Sequence, residues 1–98
     1  MIFETTERTE SIRSIVKEIR CAPLDGRTLV TVLTESADGG RICYSVAAAL
    51  LPSAAPHEDA CIVHDITGDA GEASRIFRLI ADGCVTPCTL EDVLSDML

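Results

Sequence analysis

The chain has 98 residues, 47% of them hydrophobic, a mean hydropathy of +0.27 and a net charge of −8. One domain of this size buries roughly two-thirds of its unfolded surface, and the composition is too apolar for a disordered segment. No apolar run approaches the ~20 residues of a membrane-spanning helix, and an acidic surface disfavours nucleic acid and anionic lipid as partners.

Met1 to Glu10 is polar and acidic, without the positive and apolar regions of an export signal, which implies a cytoplasmic protein. From Thr9 to Arg20, Ile12, Ile15, Val16 and Ile19 recur at the i, i+3, i+4, i+7 spacing of a helix. Their β-branched side chains leave a strand as the alternative. On the helical reading Arg13, Lys17 and Arg20 line one flank, which ordinarily only solvates a surface. Charge is uneven along the chain. Acids and bases cancel over residues 1–27, whereas residues 28–98 hold eleven acids against Arg41, Arg75 and Arg78.

Pro23 and Asp25-Gly26 end the first element. Arg27 to Glu35 alternates, with Leu29, Thr31 and Leu33 on one face and Val30 and Val32 on the other. Ala37-Asp38-Gly39-Gly40 is a turn signal, and Arg41 to Leu50 resumes with Ile42, Tyr44, Val46, Ala48 and Leu50 in phase, giving an antiparallel hairpin. Pro52 to Pro56 reads as a loop. Ala60 to Ile66 reads as a third strand, with Ile62, His64 and Ile66 facing one way and Cys61, Val63 and Asp65 the other.

Asp69 is a natural N-cap for a helix in which Ala73, Ile76, Phe77, Ile80 and Ala81 share a face and Arg75, Arg78 and Asp82 oppose it. Leu79 widens the apolar face to about half the circumference, more than one sheet covers, so a second helix is expected against it. Gly83 reads as the left-handed residue that ends this helix. Thr89 with Asp92 resembles a capping box opening a last helix whose stripe is Leu90, Val93, Leu94 and Met97.

The chain thus reads as a single α+β domain of two layers over residues 1–98. It comprises an N-terminal helical segment (1–26), a three-stranded antiparallel meander (27–66) and a helical pair (69–98). One sheet face takes the C-terminal helices; the other takes either the N-terminal helix or a second copy of the protein.

Val85-Thr86-Pro87, then Leu90, Asp92-Val93 and the closing Asp96-Met97-Leu98 form a distinctive ending. It resembles the C-terminal signature of a family of small Firmicute proteins known only as a domain of unknown function. Cys43-Tyr44-Ser45-Val46 and Asp65-Ile66-Thr67 resemble that family's Ser-Tyr-Gly-Ile strand and its Asp-Ile-Ser before the first helix. The likeness spans roughly residues 28–98 and departs from the pattern at Ser45, Cys88 and Thr89, where the family has Gly, Val and His. It implies architecture and brings no activity or site residue with it.

Chemistry-bearing groups are few. His57, Cys61 and His64 are the nearest to a ligand cluster, but Cys61 and His64 on one strand would point to opposite faces, and a closed zinc site needs four ligands. Cys84 and Cys88 straddle the corner between the last two helices and could hold a metal or form a disulfide, although isolated thiols usually just pack. An odd count of five cysteines without an export signal implies reduced thiols, with Cys43 and Cys61 buried in strands. Gly68 and Gly71 lack the rest of a phosphate loop, and Asp69 and Glu72 would repel a phosphate there. Glu91, Asp92 and Asp96 lie on the solvated face of the last helix. These readings imply no enzyme and no cofactor, but a small acidic module that self-associates or binds a protein partner. The alternative is a small-molecule or metal binder using His57/Cys61/His64 or Cys84/Cys88.

Overall fold

The computed structural model describes residues 12–98 and, within them, every side chain but those of Ile12, Arg13, Asp38, Pro56 and His57. The expectation for Met1 to Glu10 and the start of the predicted first helix lie outside these residues. Four strands, β1 (Ile12–Leu24), β2 (Arg27–Asp38), β3 (Arg41–Leu51) and β4 (Ala60–Thr67), form one antiparallel sheet in the order β1-β2-β3-β4. A short helix α1 (Pro56–Asp59) interrupts the β3–β4 link, and α2 (Ala70–Asp82) and α3 (Pro87–Met97) follow the sheet.

The predicted N-terminal helix is a strand. Isoleucine and valine favour the pleated surface, and a β-bulge explains the misleading spacing. Val16 pairs with Thr34 and Glu18 with Leu33, leaving Lys17 as an extra residue between them. The insertion shifts the alternation by one. Val16 and Ile19, three residues apart, therefore share a face because Thr34 and Val32, their partners, do. The sheet accordingly has four strands, not three, and the supposed basic flank dissolves. Lys17 is the bulge residue, and Arg20 is tied to Asp82 of α2 at 2.6 Å.

The β2–β3 hairpin matches its sequence pattern. Leu29, Leu33, Val46, Ala48 and Leu50 are buried together, Leu33 opposite Val46 and Leu29 opposite Leu50. In β4 the alternation breaks. Asp65 adopts a left-handed backbone (φ 58°), and the register jumps so that Thr67 meets Tyr44 and Val63 meets Val46. Ile66 is thereby turned into the core with Cys61 and Val63 instead of facing outward with Ile62 and His64.

Both long helices lie on one side of the sheet. The Asp69 carboxylate accepts the Glu72 N–H at 2.7 Å, and Ala73, Ile76, Phe77, Ile80 and Ala81 are all buried. Leu79 is 51% exposed, so the buried stripe is narrower than its sequence suggests. Each helix packs chiefly on the sheet rather than on its neighbour, α2 mostly over β2 and α3 over β4 and β3. The end of α2 also differs from expectation. Gly83 stays right-handed (φ −83°) and Cys84 takes the left-handed position (φ 50°). The Cys84 N–H donates to Ala81 O and the Val85 N–H to Ile80 O, the two bonds of a Schellman motif, with Val85 folded against the core. The last helix starts at Pro87 with Thr86 as N-cap, so Thr89 lies in its first turn. Proline suits that first position because its missing N–H would have no helical partner there.

Candidate functional site

Of the residues first considered as ligands, Cys61 and His64 meet different surroundings. Cys61 packs against the helix-side core, where burial pushes its thiol pKa up with a smaller push from Glu91. His64 is exposed on the same strand, and the side chain of His57 lies outside the described ones. Cys84 and Cys88 are exposed at the corner, the second within 3.6 Å of the Thr86 hydroxyl. Cys43 is half-buried, not a core residue, and Cys21, Cys43, Cys61, Cys84 and Cys88 are all free thiols. Among the described residues no group of three or more His, Cys, Asp or Glu side chains is placed to hold a metal ion.

Polar groups on the helix side are engaged with one another. The Tyr44 hydroxyl donates to Glu35 Oε2 at 2.7 Å, and this bond to a carboxylate, with burial, raises the phenol pKa. Asp59, buried at the end of α1, accepts the Ala54 and Ala55 N–H groups at 2.8 Å each through one oxygen. Arg27 donates to that same oxygen at 2.9 Å. The backbone bonds from Ala55 and Ala54, reinforced by Arg27 against the cost of burial, hold the Asp59 carboxyl below its ordinary pKa. On β1, Glu18 accepts from the Ser74 hydroxyl at 2.7 Å and so pins α2 across the edge of the sheet. These contacts fold a loop and dock a helix, and each donor or acceptor meets a protein partner.

The other face of the sheet has no covering element among the described residues. Its strands contribute Val16 and Ile19 from β1, Val30 and Val32 from β2, Ala47, Ala49 and Leu51 from β3, and Ala60 and Ile62 from β4, as the pairing register requires. Val16 is 56% exposed, Ile19 57%, Leu51 48% and Ile62 47%. The relief is uneven. Branched side chains crowd β1 and β2, whereas the alanines of β3 and β4 leave a shallow depression of about 260 Å³ lined by Ala47, Ala48, Ala49, Ala60, Cys61 and Ile62.

This apolar face is the feature that sequence reasoning located least well. Assigning residues 9–20 to a helix removed Val16 and Ile19 from the sheet. The signals that could have found it are the β-branched run of β1 and the triplet Ala47-Ala48-Ala49, too small to form a core wall on both sides. No family model matches the chain, and neither a curated protein nor a solved structure matches it.

Proposed function

We propose that the protein is a small non-catalytic interaction module that works by burying its helix-free sheet face against protein. One observation carries this reading: the middle of the uncovered face is valine, isoleucine and alanine, with serine, threonine and cysteine but no paired charged residue around it. An antiparallel sheet with a solvated side ordinarily alternates apolar with polar residues, whereas strands covered on both sides read as near-continuous apolar runs. Ile42 to Leu51 contains no charged residue and is of the second kind. Contiguous apolar surface on a small domain marks an interaction site.

The paired state of Tyr44, Glu35, Asp59 and Glu18 supports a role without catalysis, since these groups already stabilise the fold. The depression beside Ala49 fits a small-molecule site poorly. It is open, walled by methyl groups, and lacks the convergent polar groups that orient a ligand. No helix among the described residues is long and apolar enough to cross a membrane. The resemblance of residues 85–98 to the Firmicute family belongs to this proposal as a guide to architecture alone.

In-cell photo-cross-linking tests the reading. A photoreactive residue replacing Val32 should give a discrete polypeptide adduct, and one replacing Arg78 on the outer surface of α2 should not. Absence of an adduct at Val32, or equal yields at both positions, would overturn it.

A further inference from the structure

We infer that the occupant of the open face is a second copy of this chain, related by a two-fold axis. The branched ridge of β1 and β2 in each protomer would sit in the alanine trough of β3 and β4 in the other. The inference rests on the proposed role of that face as an interaction surface.

Charge is the first argument. The chain carries a net −8, and Glu72, Asp82, Glu91, Asp92 and Asp96 crowd the outer surfaces of the two long helices. Pro87–Met97 exposes Glu91, Asp92 and Asp96 with no basic residue among them, so a contact between two copies through α3 would bring like charges together. On the open face the register positions from Ser14 to Cys21, Thr28 to Ser36, Cys43 to Leu51 and Ala60 to Ile62 hold only Ser, Thr, Cys, Ala, Val, Ile and Leu. Lys17, the bulge residue, has no register partner and is the exposed chain neighbour of Val16 at the edge strand. A basic partner would be drawn to the helices, not to this uncharged surface. Two identical acidic chains, by contrast, can meet here without opposing carboxylates.

Shape is the second. In a two-fold interface the same patch meets itself, so a surface must carry both a projection and its complement. Val16, Ile19 and Val32 supply the projection; Ala47, Ala49 and Ala60 floor the depression of about 260 Å³. Facing sheets pack about 10 Å apart with their side chains interdigitated. A rotation about an axis near the β2–β3 boundary exchanges ridge and trough, giving helices, sheet, sheet and helices in four layers.

The area is adequate as well. Four strands at a spacing of about 4.8 Å and a rise of about 3.3 Å per residue give a face of roughly 600 Å² in projection. Its accessible area is larger because the surface is rough, and a standard interface takes about 800 Å² from each partner. The edge of β1 is a poorer alternative, because a bulge and an exposed lysine are devices that discourage strand addition.

Sedimentation equilibrium of the purified full chain tests the inference. The wild type should be a dimer at micromolar concentration. Ile19→Asp in the ridge and Ala49→Glu in the trough should each weaken it at least about thirtyfold, as an unpaired buried charge does. Arg78→Asp, on the outer surface of α2, should leave it unchanged. Mixing Val30→Asp with Ala49→Lys chains should restore dimers, because the axis sets β2 of one protomer over β3 of the other and one ridge–trough contact then joins opposite charges. Should a variant lose its circular-dichroism spectrum, peptide-resolved alkylation of wild-type Cys21, on the same face, still decides. Its labelling should slow as protein concentration rises, and a concentration-independent rate overturns the dimer. A monomeric wild type that cross-links through Val32 to a different polypeptide would overturn the second copy and leave the interaction reading standing. A dimer indifferent to both charge insertions would overturn the placement of the second copy on this face.

Discussion

Two faces of one sheet meet different fates in this molecule. On β2, Leu29, Thr31 and Leu33 are buried beneath the helices, while Val30 and Val32, between them in sequence, are only half-buried on the bare side. On β3, Val46, Ala48 and Leu50 are buried, and Ala47 and Ala49 floor an open depression. The residue types hardly distinguish the faces, but their sizes do. The covered face carries leucines, a tyrosine and a valine that interlock with Ile76, Phe77, Ile80, Leu90 and Leu94. The bare face is apolar without being filled. Alternation along a strand thus tells which residues share a face, and it takes the second layer to tell which face becomes core.

The largest effects should come from truncations that pit one face against the other. Phe77, 1% exposed, is the bulkiest side chain of the covered side, and Phe77→Ala should cost about 3–5 kcal/mol. Leu33→Ala should cost about 2–5 kcal/mol for the same reason. Val32→Ala, one residue away on the bare face, should cost under about 1 kcal/mol in dilute solution, and Arg78→Ala under about 0.5 kcal/mol. Urea melts at low protein concentration measure all four. Equal midpoints for Leu33→Ala and Val32→Ala would mean that the two faces are not distinguished as the structure has them.

A smaller effect belongs to the loop that carries the chain from the bare-side residue Leu51 back into β4. Asp59 binds its backbone there with a carboxyl pKa below the ordinary 3.8. A depressed folded-state pKa contributes stability that is present above the unfolded value and lost as pH falls through the folded one. The advantage of wild type over Asp59→Asn should therefore be constant at neutral pH and shrink as pH drops below about 4. Thermal melts across that range check it; an advantage that persists undiminished in strong acid would show that the carboxylate is not what holds the loop.

How much of this could be read in the sequence follows from where the backbone is regular. The β2–β3 hairpin is legible because its alternation runs without interruption from Arg27 to Leu51 across a Gly39-Gly40 turn. So is the buried stripe of α2, from Ala73 to Ala81. The failures sit at irregularities that add or turn a residue. Lys17 in its bulge gives a strand the spacing of a helix, and Asp65 in a left-handed conformation sends Ile66 to the face opposite the one its parity predicts. The candidate site was lost with β1, since a face shared by four strands cannot be assembled from three. His57, Cys61 and His64 stand close in sequence, but strand parity alone tells that Cys61 and His64 point apart, and Cys61 packs on the core while His64 is exposed.

A further small effect is at the corner between α2 and α3, and it runs toward higher stability. Glycine is the residue that takes a left-handed turn without steric cost, and Gly83 stands one position too early to do so. Cys84 occupies the left-handed position in its place, with φ of 50° and its N–H bound to Ala81 O. A residue with a Cβ pays about 1–2 kcal/mol for that conformation. Glycine avoids this cost but loses more chain entropy on folding, by roughly 0.5–1 kcal/mol. The Cys84 side chain is exposed, so its removal should leave the covered core unchanged. Cys84→Gly should therefore raise the stability of the domain by about 0.5–1 kcal/mol. The gain should appear as a higher urea midpoint with an unchanged slope. Cys84→Ala, which keeps the Cβ, should show no such gain, so the pair separates backbone strain from any effect of losing the thiol. A midpoint that falls on Cys84→Gly would mean that the Cys84 side chain makes a contact worth more than the strain of its backbone.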